Sequence, residues 1–298
     1  EKLERALNTF REAMQYISAA YYPASLVFYP MESNLGYRPG VSQEVFACLD
    51  DERVNVYRDI CNQLVLPSVS KEKPAVIGIS IGTQMQLMAG LTFCKMIKES
   101  FPEIRVVVGG NVVTRLQEEW AHHERFFTEV FDAAILYEGE HALLWYLEAV
   151  NGQRAMEQVP NLMYRDADGV KQSKEVYTEK TSALPLPDFD GLPLEKYFVP
   201  TKILPYLATR GCYWGRCEFC DHGEGYTAGY RSKKIQDVLA EITYLRDKYG
   251  ARHFHFTDES YPPALFRKLA RGLIETNMGI VWTTHMRFEK SLLEDQVW

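Results

Sequence analysis

Three of the chain's six cysteines stand within one short segment, Arg210 to Gly225, which reads RGCYWGRCEFCDHGEG. They are Cys212, Cys217 and Cys220, in the spacing C-x4-C-x2-C. Thiolates ligate zinc and iron–sulfur clusters, so thiols this dense point to a metal centre. A closed structural zinc site takes about four ligands, and His222 could be the fourth, giving C-x4-C-x2-C-x-H. Residues two apart tend to point in different directions, which disfavours that set. A four-iron cubane held by three cysteines instead leaves one iron open to a substrate or cofactor, and an open iron is useful for catalysis. Cys48, Cys61 and Cys94 are scattered singly in or near helical patterns and read as small buried thiols.

These thiols must be positioned by a folded chain, and the composition supplies one. The 298 residues have room for two ordinary domains. An apolar fraction of 46% with 24% charged residues is that of a soluble globular protein. The net charge of −7, from 33 basic and 40 acidic residues, argues against a general nucleic-acid or anionic-membrane surface. No apolar run reaches the ~18 residues that a spanning helix needs. The first residues, EKLERALNTFREAM, form a charged amphipathic stretch and not a signal peptide. Six cysteines are too few for a disulfide scaffold in a chain of this length, so a reducing, cytoplasmic setting is expected.

Helical spacing of Leu3, Leu7, Phe10, Met14 and Ile17 predicts a helix from Lys2 to about Ala20, and a second helical pattern runs from about Ser42 to Leu64, interrupted near Asp50. From Pro74 strands and helices alternate. AVIGISIG, IRVVVGG and AAILYEG read as parallel strands buried on both faces, separated by the helices QLMAGLTFCKMIKESF and RLQEEWAHHERFF and followed by EHALLWYLEAVNG. PNLMYRDADGVKQS reads as a hairpin turning at Asp168-Gly169, and the proline-rich ALPLPDFDGLPLEKYFVP as irregular chain. Alternation then resumes with LPYLATRG, a helix from Ser232 as N-cap to Gly250, the strand RHFHFTDE, the helix PALFRKLARGLIETN and the strand IVWTTHMR. The expected class is α/β, with a first domain over 1–152, a linker with a hairpin over 153–202, and a second domain over 203–298. Each domain reads as cut short, as a fragment of a longer protein would.

The segment RGCYWGRCEFC resembles the cluster-binding motif of the radical SAM superfamily. The common form there is C-x3-C-x2-C with an aromatic residue just before the last cysteine. Phe219 holds that place, and one extra residue stands between Cys212 and Cys217. The resemblance implies a partial (β/α) barrel beginning with the strand before the motif. It also implies a [4Fe–4S] cluster held by Cys212, Cys217 and Cys220, with S-adenosylmethionine on the open iron. It gives a methionine-binding role to the segment Thr257, Asp258, Glu259 and Ser260, above all to Asp258 and Glu259. Arg287 could pair with the methionine carboxylate, since guanidinium suits a planar anion; a solvated strand end is the other reading. His253 and His255 read as satisfied barrel residues.

Residues Pro74 to Val150 resemble the cobalamin-binding domain that precedes the barrel in one branch of that superfamily, through VIGISIGTQ, VVVGGNVVT and LYEGEHALLWYL. Glycines at strand ends let backbone approach a flat ligand, and crevices at strand C-termini are where open α/β sheets bind cofactors. The resemblance places Ser80, Gly82 and Thr83 along the first crevice, Gly109 and Gly110 beside the nucleotide tail, and Glu138, Gly139 and Glu140 at the third edge. The D-x-H-x-x-G motif that supplies a cobalt ligand elsewhere is absent, as it is from many members of the branch. A Rossmann-like domain without its cofactor is the alternative.

The implied function is reductive cleavage of S-adenosylmethionine by a radical SAM enzyme, in the form of a cobalamin-dependent methyltransferase. The alternatives are another radical rearrangement, cyclisation or sulfur insertion, and a non-enzymatic zinc-binding module. A small-molecule or peptide substrate and a one-electron reductant such as flavodoxin or ferredoxin are the implied partners, with no nucleic acid and no membrane span.

Overall fold

In the computed structural model, which describes residues 2–28, 32–197, 199–220 and 229–293, the chain divides into two compact units, Glu1–Tyr177 and Thr178–Trp298. The first opens with α1 (Lys2–Ala20) and a small antiparallel ladder of β1 (Ser25–Val27) and β2 (Glu32–Asn34). Next come α2 (Ser42–Asp50) and a helical run made of α3 (Val56–Ile60), a π-helical turn (Cys61–Val65) and α4 (Leu66–Glu72). The break near Asp50 falls where the sequence places it, but the second helix runs on past Leu64.

The alternating region forms β3 (Val76–Ser80), α5 (Leu87–Ser100), β4 (Arg105–Gly109), the short helices α6 (Asn111–Arg115), α7 (Gln117–His122) and α8 (Arg125–Glu129), β5 (Ala133–Ile135) and α9 (Glu140–Val150). β3, β4 and β5 are parallel. Period-two alternation divides the middle strand between two cores. Val106 and Val108 join Leu91, Cys94 and Ile97 of α5 on one face, while Val107 joins Ala142 and Tyr146 of α9 on the other. β3 departs from the expectation of burial on both faces. It is the end strand, Ile77 and Ile79 face the first core, and Gly78 and Ser80 on the opposite face are exposed.

The hairpin of β6 (Leu162–Asp166) and β7 (Gly169–Gln172) is not part of a linker. β6 pairs antiparallel with β5, so the hairpin completes a sheet of order β3-β4-β5-β6-β7. Its two turn residues are Ala167 and Asp168, with Gly169 at φ +110° opening β7.

In the second unit β8 (Ile203–Tyr206) is followed by β9 (Thr209–Arg210), β10 (Arg231–Ser232), α10 (Ile235–Tyr249), β11 (His253–Phe256), α11 (Pro263–Glu275) and β12 (Val281–Thr284). β8, β11 and β12 form a parallel sheet of order β12-β11-β8. Leu204, Tyr206, Phe254 and Phe256 point to a core shared with Val238, Ile242 and Leu245 of α10 and Leu269 and Leu273 of α11. The other face carries Pro205, His253, His255 and Thr283, which are exposed or half-buried. His255 Nδ1 lies 2.7 Å from the Thr283 hydroxyl, so this histidine is satisfied within the sheet.

Ser232 does not cap α10. It lies in β10, and the N-cap is Lys234, which makes no side-chain cap bond. Gly250 at φ +63° ends the helix as expected. Two polar sets fasten α10. Towards the strands, the Glu241 carboxylate accepts from the Tyr206 hydroxyl and, at 2.6 Å, from Lys233, a lysine only 6% exposed. At its far end, the Phe189 N–H donates to the Tyr249 hydroxyl at 3.0 Å, that hydroxyl lies 2.8 Å from Asp188, and Lys248 meets Asp190 at 2.7 Å. Phe189 itself is buried edge-on against Tyr249.

Breaking a buried pair by deleting one partner strands the other charge. Glu241→Ala is therefore expected to lower the stability of the second unit by about 3 kcal/mol, read by equilibrium denaturation, against less than about 1 kcal/mol for Asp190→Ala at the exposed end.

Candidate functional site

The cysteine segment emerges from the carboxyl ends of the parallel strands. The ladder outlasts β8, with the Thr257 N–H donating to the Tyr206 carbonyl at 2.9 Å. β9 then pairs with β10, Thr209 opposite Ser232 and Arg210 opposite Arg231. Between them runs the loop with Cys212, Cys217 and Cys220, all half-buried. Gly211 at φ +79° turns the chain out of β9, and the Cys220 N–H closes a turn on the Cys217 carbonyl at 3.1 Å. The other cysteines are buried. Burial pushes the Cys48 and Cys61 thiols up to about 12 and about 11, and Cys94 higher still. Ligand-competent thiols thus belong to the loop.

Among the described residues no group of three or more histidine, cysteine or acidic side chains is gathered to hold a metal ion, and His222 lies outside the described residues. Three partly accessible thiols in one loop at strand C-termini are donors of a type that suits an iron–sulfur cluster or zinc. The residues fit the cluster by type and place, and holding it requires the thiols to close on it.

The long first spacing is occupied. The Tyr213 hydroxyl donates to Glu289, and Arg287 pairs with the same carboxylate oxygen at 3.1 Å. The Arg287 guanidinium lies 3.6 Å from the centre of the Trp214 ring. Arg287 is therefore neither a bare solvated strand end nor aimed only at a ligand; its charge already braces the cysteine loop. Phe219 is 93% exposed.

The acidic segment after β11 splits in two. Thr257 is exposed and Glu259 half-buried, but Asp258 and Ser260 are buried. Asp258 Oδ1 accepts from the Thr209 N–H at 2.5 Å and from the Thr209 hydroxyl at 2.6 Å. Its Oδ2, the Ser260 hydroxyl and the Thr284 hydroxyl are buried without a hydrogen-bond partner.

Burial pushes Asp258 up to about 6, against the lowering effect of the Thr209 donors. An unfolded aspartate titrates near 3.9, so the folded form binds more protons between about pH 4 and 6. The contribution of Asp258 to stability is then largest at low pH and is lost as pH rises through about 6. Relative to Asp258→Asn, the parent is expected to gain about 1.3 kcal/mol of stability on going from pH 7 to pH 5. Denaturant midpoints of both proteins at the two pH values check this.

In the first unit the strand register sets Ser80 beside Gly109 and Gly109 beside Ile135, so the carboxyl edge carries the residues that the sequence singles out. Ser80, Gly82, Thr83 and Glu140 are exposed, Gly109, Gly110 and Gly139 half-buried, and Glu138 buried. The Gly82 and Thr83 amides both donate to the Gln86 side chain, at 2.9 and 3.1 Å. Gly110, at φ +106°, is required by the protein itself: a Cβ there would stand 2.6 Å from the Ile81 carbonyl oxygen. The close approach that the glycine pair signals is thus made by Ile81. Glu138 offers backbone to a neighbour, its carbonyl accepting from Asn161 at 2.9 Å.

Gln86, Asn161, Arg287's partner Glu289 and the anchor Thr209 are the residues that the sequence did not single out. Thr83-x-x-Gln86 matches a capping box and was a usable signal for Gln86.

No protein-family profile matches the chain. Among curated proteins, cytidylyl-2-hydroxyethylphosphonate methyltransferase of Streptomyces wedmorensis is 27% identical over 251 residues, covering 71% of this chain and 44% of that protein. An uncharacterised methyltransferase of Pyrococcus horikoshii is 24% identical over 225 residues, covering 74% and 47%. The chain thus spans about half the length of the curated relatives it matches. Of solved structures, the cobalamin-dependent S-adenosylmethionine radical enzyme OxsB, with aqua-cobalamin and S-adenosylmethionine bound, superposes with TM-score 0.60 at 21% identity over 74% of this chain and 31% of its own. The radical S-adenosylmethionine methyltransferase TsrM of Kitasatospora setae, with tryptophan and an S-adenosylmethionine analogue, gives 0.58 at 15% identity over 76% and 44%.

Proposed function

We propose, from the premise that this chain has the fold of the cobalamin-dependent radical SAM enzymes, that it is part of a radical SAM methyltransferase that uses cobalamin. The observation that carries the reading is the loop of half-buried Cys212, Cys217 and Cys220 at the C-terminal ends of parallel strands, in a chain whose remaining cysteines are buried. Methyltransferases among the curated relatives support the reaction class.

On this reading Cys212, Cys217 and Cys220 hold a [4Fe–4S] cluster, and Phe219, Glu259 and Arg287 stand around S-adenosylmethionine. Ser80, Gly82, Thr83, Gly109, Gly110, Gly139 and Glu140 border cobalamin, with Glu138 behind them. When bound, the cluster supplies the electron that cleaves S-adenosylmethionine, and cobalamin carries the methyl group. The chain's own residues position and shield. Tyr213, Trp214, Arg287 and Glu289 hold the loop's first arm in place before any cofactor arrives, which lowers the ordering cost of assembly. Arg287 would keep its Trp214 stacking while presenting an N–H to a carboxylate. The substrate is a small molecule or peptide, and a flavodoxin or ferredoxin supplies electrons.

The test uses the full-length protein purified without oxygen. It should contain iron and sulfide. Labelled methyl from S-adenosylmethionine should reach both cobalamin and product, with 5′-deoxyadenosine accumulating alongside. Stoichiometric zinc without iron would sink the radical reading, whereas iron with turnover that is indifferent to cobalamin would sink methyl transfer alone.

A further inference from the structure

The loop that carries Cys212, Cys217 and Cys220 leaves and rejoins the second unit through a narrow neck. Its sides are β9 and β10, paired among the described residues at Thr209–Ser232 and Arg210–Arg231. Just below, the Lys233 N–H donates to the Ala208 carbonyl at 2.9 Å. A ladder this short is marginal on its own. A carboxylate from another element fastens it: Asp258, beyond the end of β11, takes both the backbone and the hydroxyl donor of Thr209 on one oxygen. Thr209 is 1% exposed and Asp258 0%. From Thr209 the chain passes through Arg210 and Gly211 directly to Cys212.

We infer that Asp258 is a positioning residue for the cysteine loop, fixing the strand that delivers Cys212 and acting on the metal centre through Thr209 without touching S-adenosylmethionine. What the loop holds rests on the radical SAM reading; the fastening is a property of the polypeptide alone. The direction of the carboxylate carries the inference. Its engaged oxygen faces β9, its other oxygen is buried without a hydrogen-bond partner, and the residue is sealed from solvent. The cost of burying a carboxylate is a second support, since an aliphatic side chain would fill the same core position without desolvating a charge. The paired donors of Thr209 are what that charge serves. The geometry of the exit is the third. Gly211, at φ +79°, turns the chain out of β9 towards Cys212, so Cys212 departs from the short strand that Thr209 anchors.

Three variants of the full-length protein test this: Asp258→Leu, which removes the acceptor, Asp258→Asn, which keeps an amide oxygen for Thr209, and Thr209→Val, which removes only the hydroxyl. Two readouts need no turnover. Amide hydrogen exchange of the metal-free protein reports the neck directly, and release of iron from reconstituted protein to a ferrous chelator reports the centre. Asp258→Leu is expected to speed exchange at Thr209 to Cys212, and iron release, by about tenfold or more, with α10 protection unchanged. Thr209→Val should show a several-fold effect on both, and Asp258→Asn should stay within about twofold of the parent. Thr209→Val also keeps the inference open to refutation if Asp258→Leu does not fold. Unchanged exchange and iron release in Thr209→Val overturn the anchor. An Asp258→Asn protein that holds iron normally but requires about tenfold more S-adenosylmethionine assigns Asp258 to the ligand and overturns it equally. A parent that takes up no iron removes the radical SAM reading, yet the exchange arm still decides the anchor.

Discussion

Alanine at any one of Cys212, Cys217 and Cys220 is expected to abolish the brown chromophore of the reconstituted protein, with iron falling from about four atoms per chain to near zero. The same change at Cys48, Cys61 or Cys94 leaves colour and iron intact. The contrast follows from where the thiols stand. The loop thiols are half-buried and partly accessible, while burial raises the other three and holds them as neutral packing groups. On the proposed reading three cysteines hold the cluster, so the loss of any one removes a third of its protein thiols. The buried set carries a packing cost instead, about 1 kcal/mol for a small cavity at Cys48 or Cys94. Visible absorbance with iron and acid-labile sulfide analysis reads the first effect, and thermal denaturation reads the second. Retention of a full cluster after loss of Cys212 would remove the loop from the metal centre.

Gly110→Ala is expected to destabilise the first unit by about 4 kcal/mol, lowering its melting temperature by roughly 10 °C. Two effects add. The φ of +106° is outside what a side chain tolerates, and strain of this kind costs about 1–3 kcal/mol. The new Cβ also meets backbone, at 2.6 Å from the Ile81 oxygen and 2.8 Å from its carbonyl carbon. Backbone cannot rotate out of the way, so the ends of β3 and β4 must separate, and the Val112 N–H loses its 3.2 Å bond to Ile81. Gly78→Ala is the control: its φ is ordinary and its Cβ would stop 3.9 Å from Val107, so stability should change by less than about 1 kcal/mol. Equal melting temperatures for the two variants would show that the glycine is not held by Ile81.

The alternation of strands and helices was legible because both periodicities are local. Val106 to Val108 can only be a strand with helices on either side, and the α10 and α11 segments show apolar spacing over several turns. The sheet partner of the hairpin was not legible. Leu162 to Asp166 looks the same whether it lies alone or beside β5, since pairing is settled by tertiary neighbours and not by local composition. The three clustered cysteines stand out by spacing, but the residues that brace their loop do not. Glu289 reaches Tyr213 across 76 positions, and Asp258 reaches Thr209 across 49. The sequence places Asp258 correctly at a strand end, where an acidic residue suggests a ligand contact. Its direction, inward to β9, is what only the fold reveals. The same holds for Gly110, whose glycine requirement was visible while its cause, Ile81, was not.

The fastening of the Asp188–Asp190 turn to the end of α10 has a consequence in ionic strength. Lys248, Asp188 and Asp190 all retain solvent contact, whereas Lys233 beside Glu241 does not. Counter-ions act over a Debye length of about 8 Å in physiological salt and about 3 Å at 1 M, and they reach exposed pairs far more readily than buried ones. Added salt therefore loosens the ion pairs of the turn first and leaves Phe189 to hold it by packing against Tyr249 and by its N–H bond to the Tyr249 hydroxyl. The strands beneath, tied through Glu241, keep their place. The segment that enters β8 thus responds to the medium, while the sheet that presents the cysteines is insulated from it.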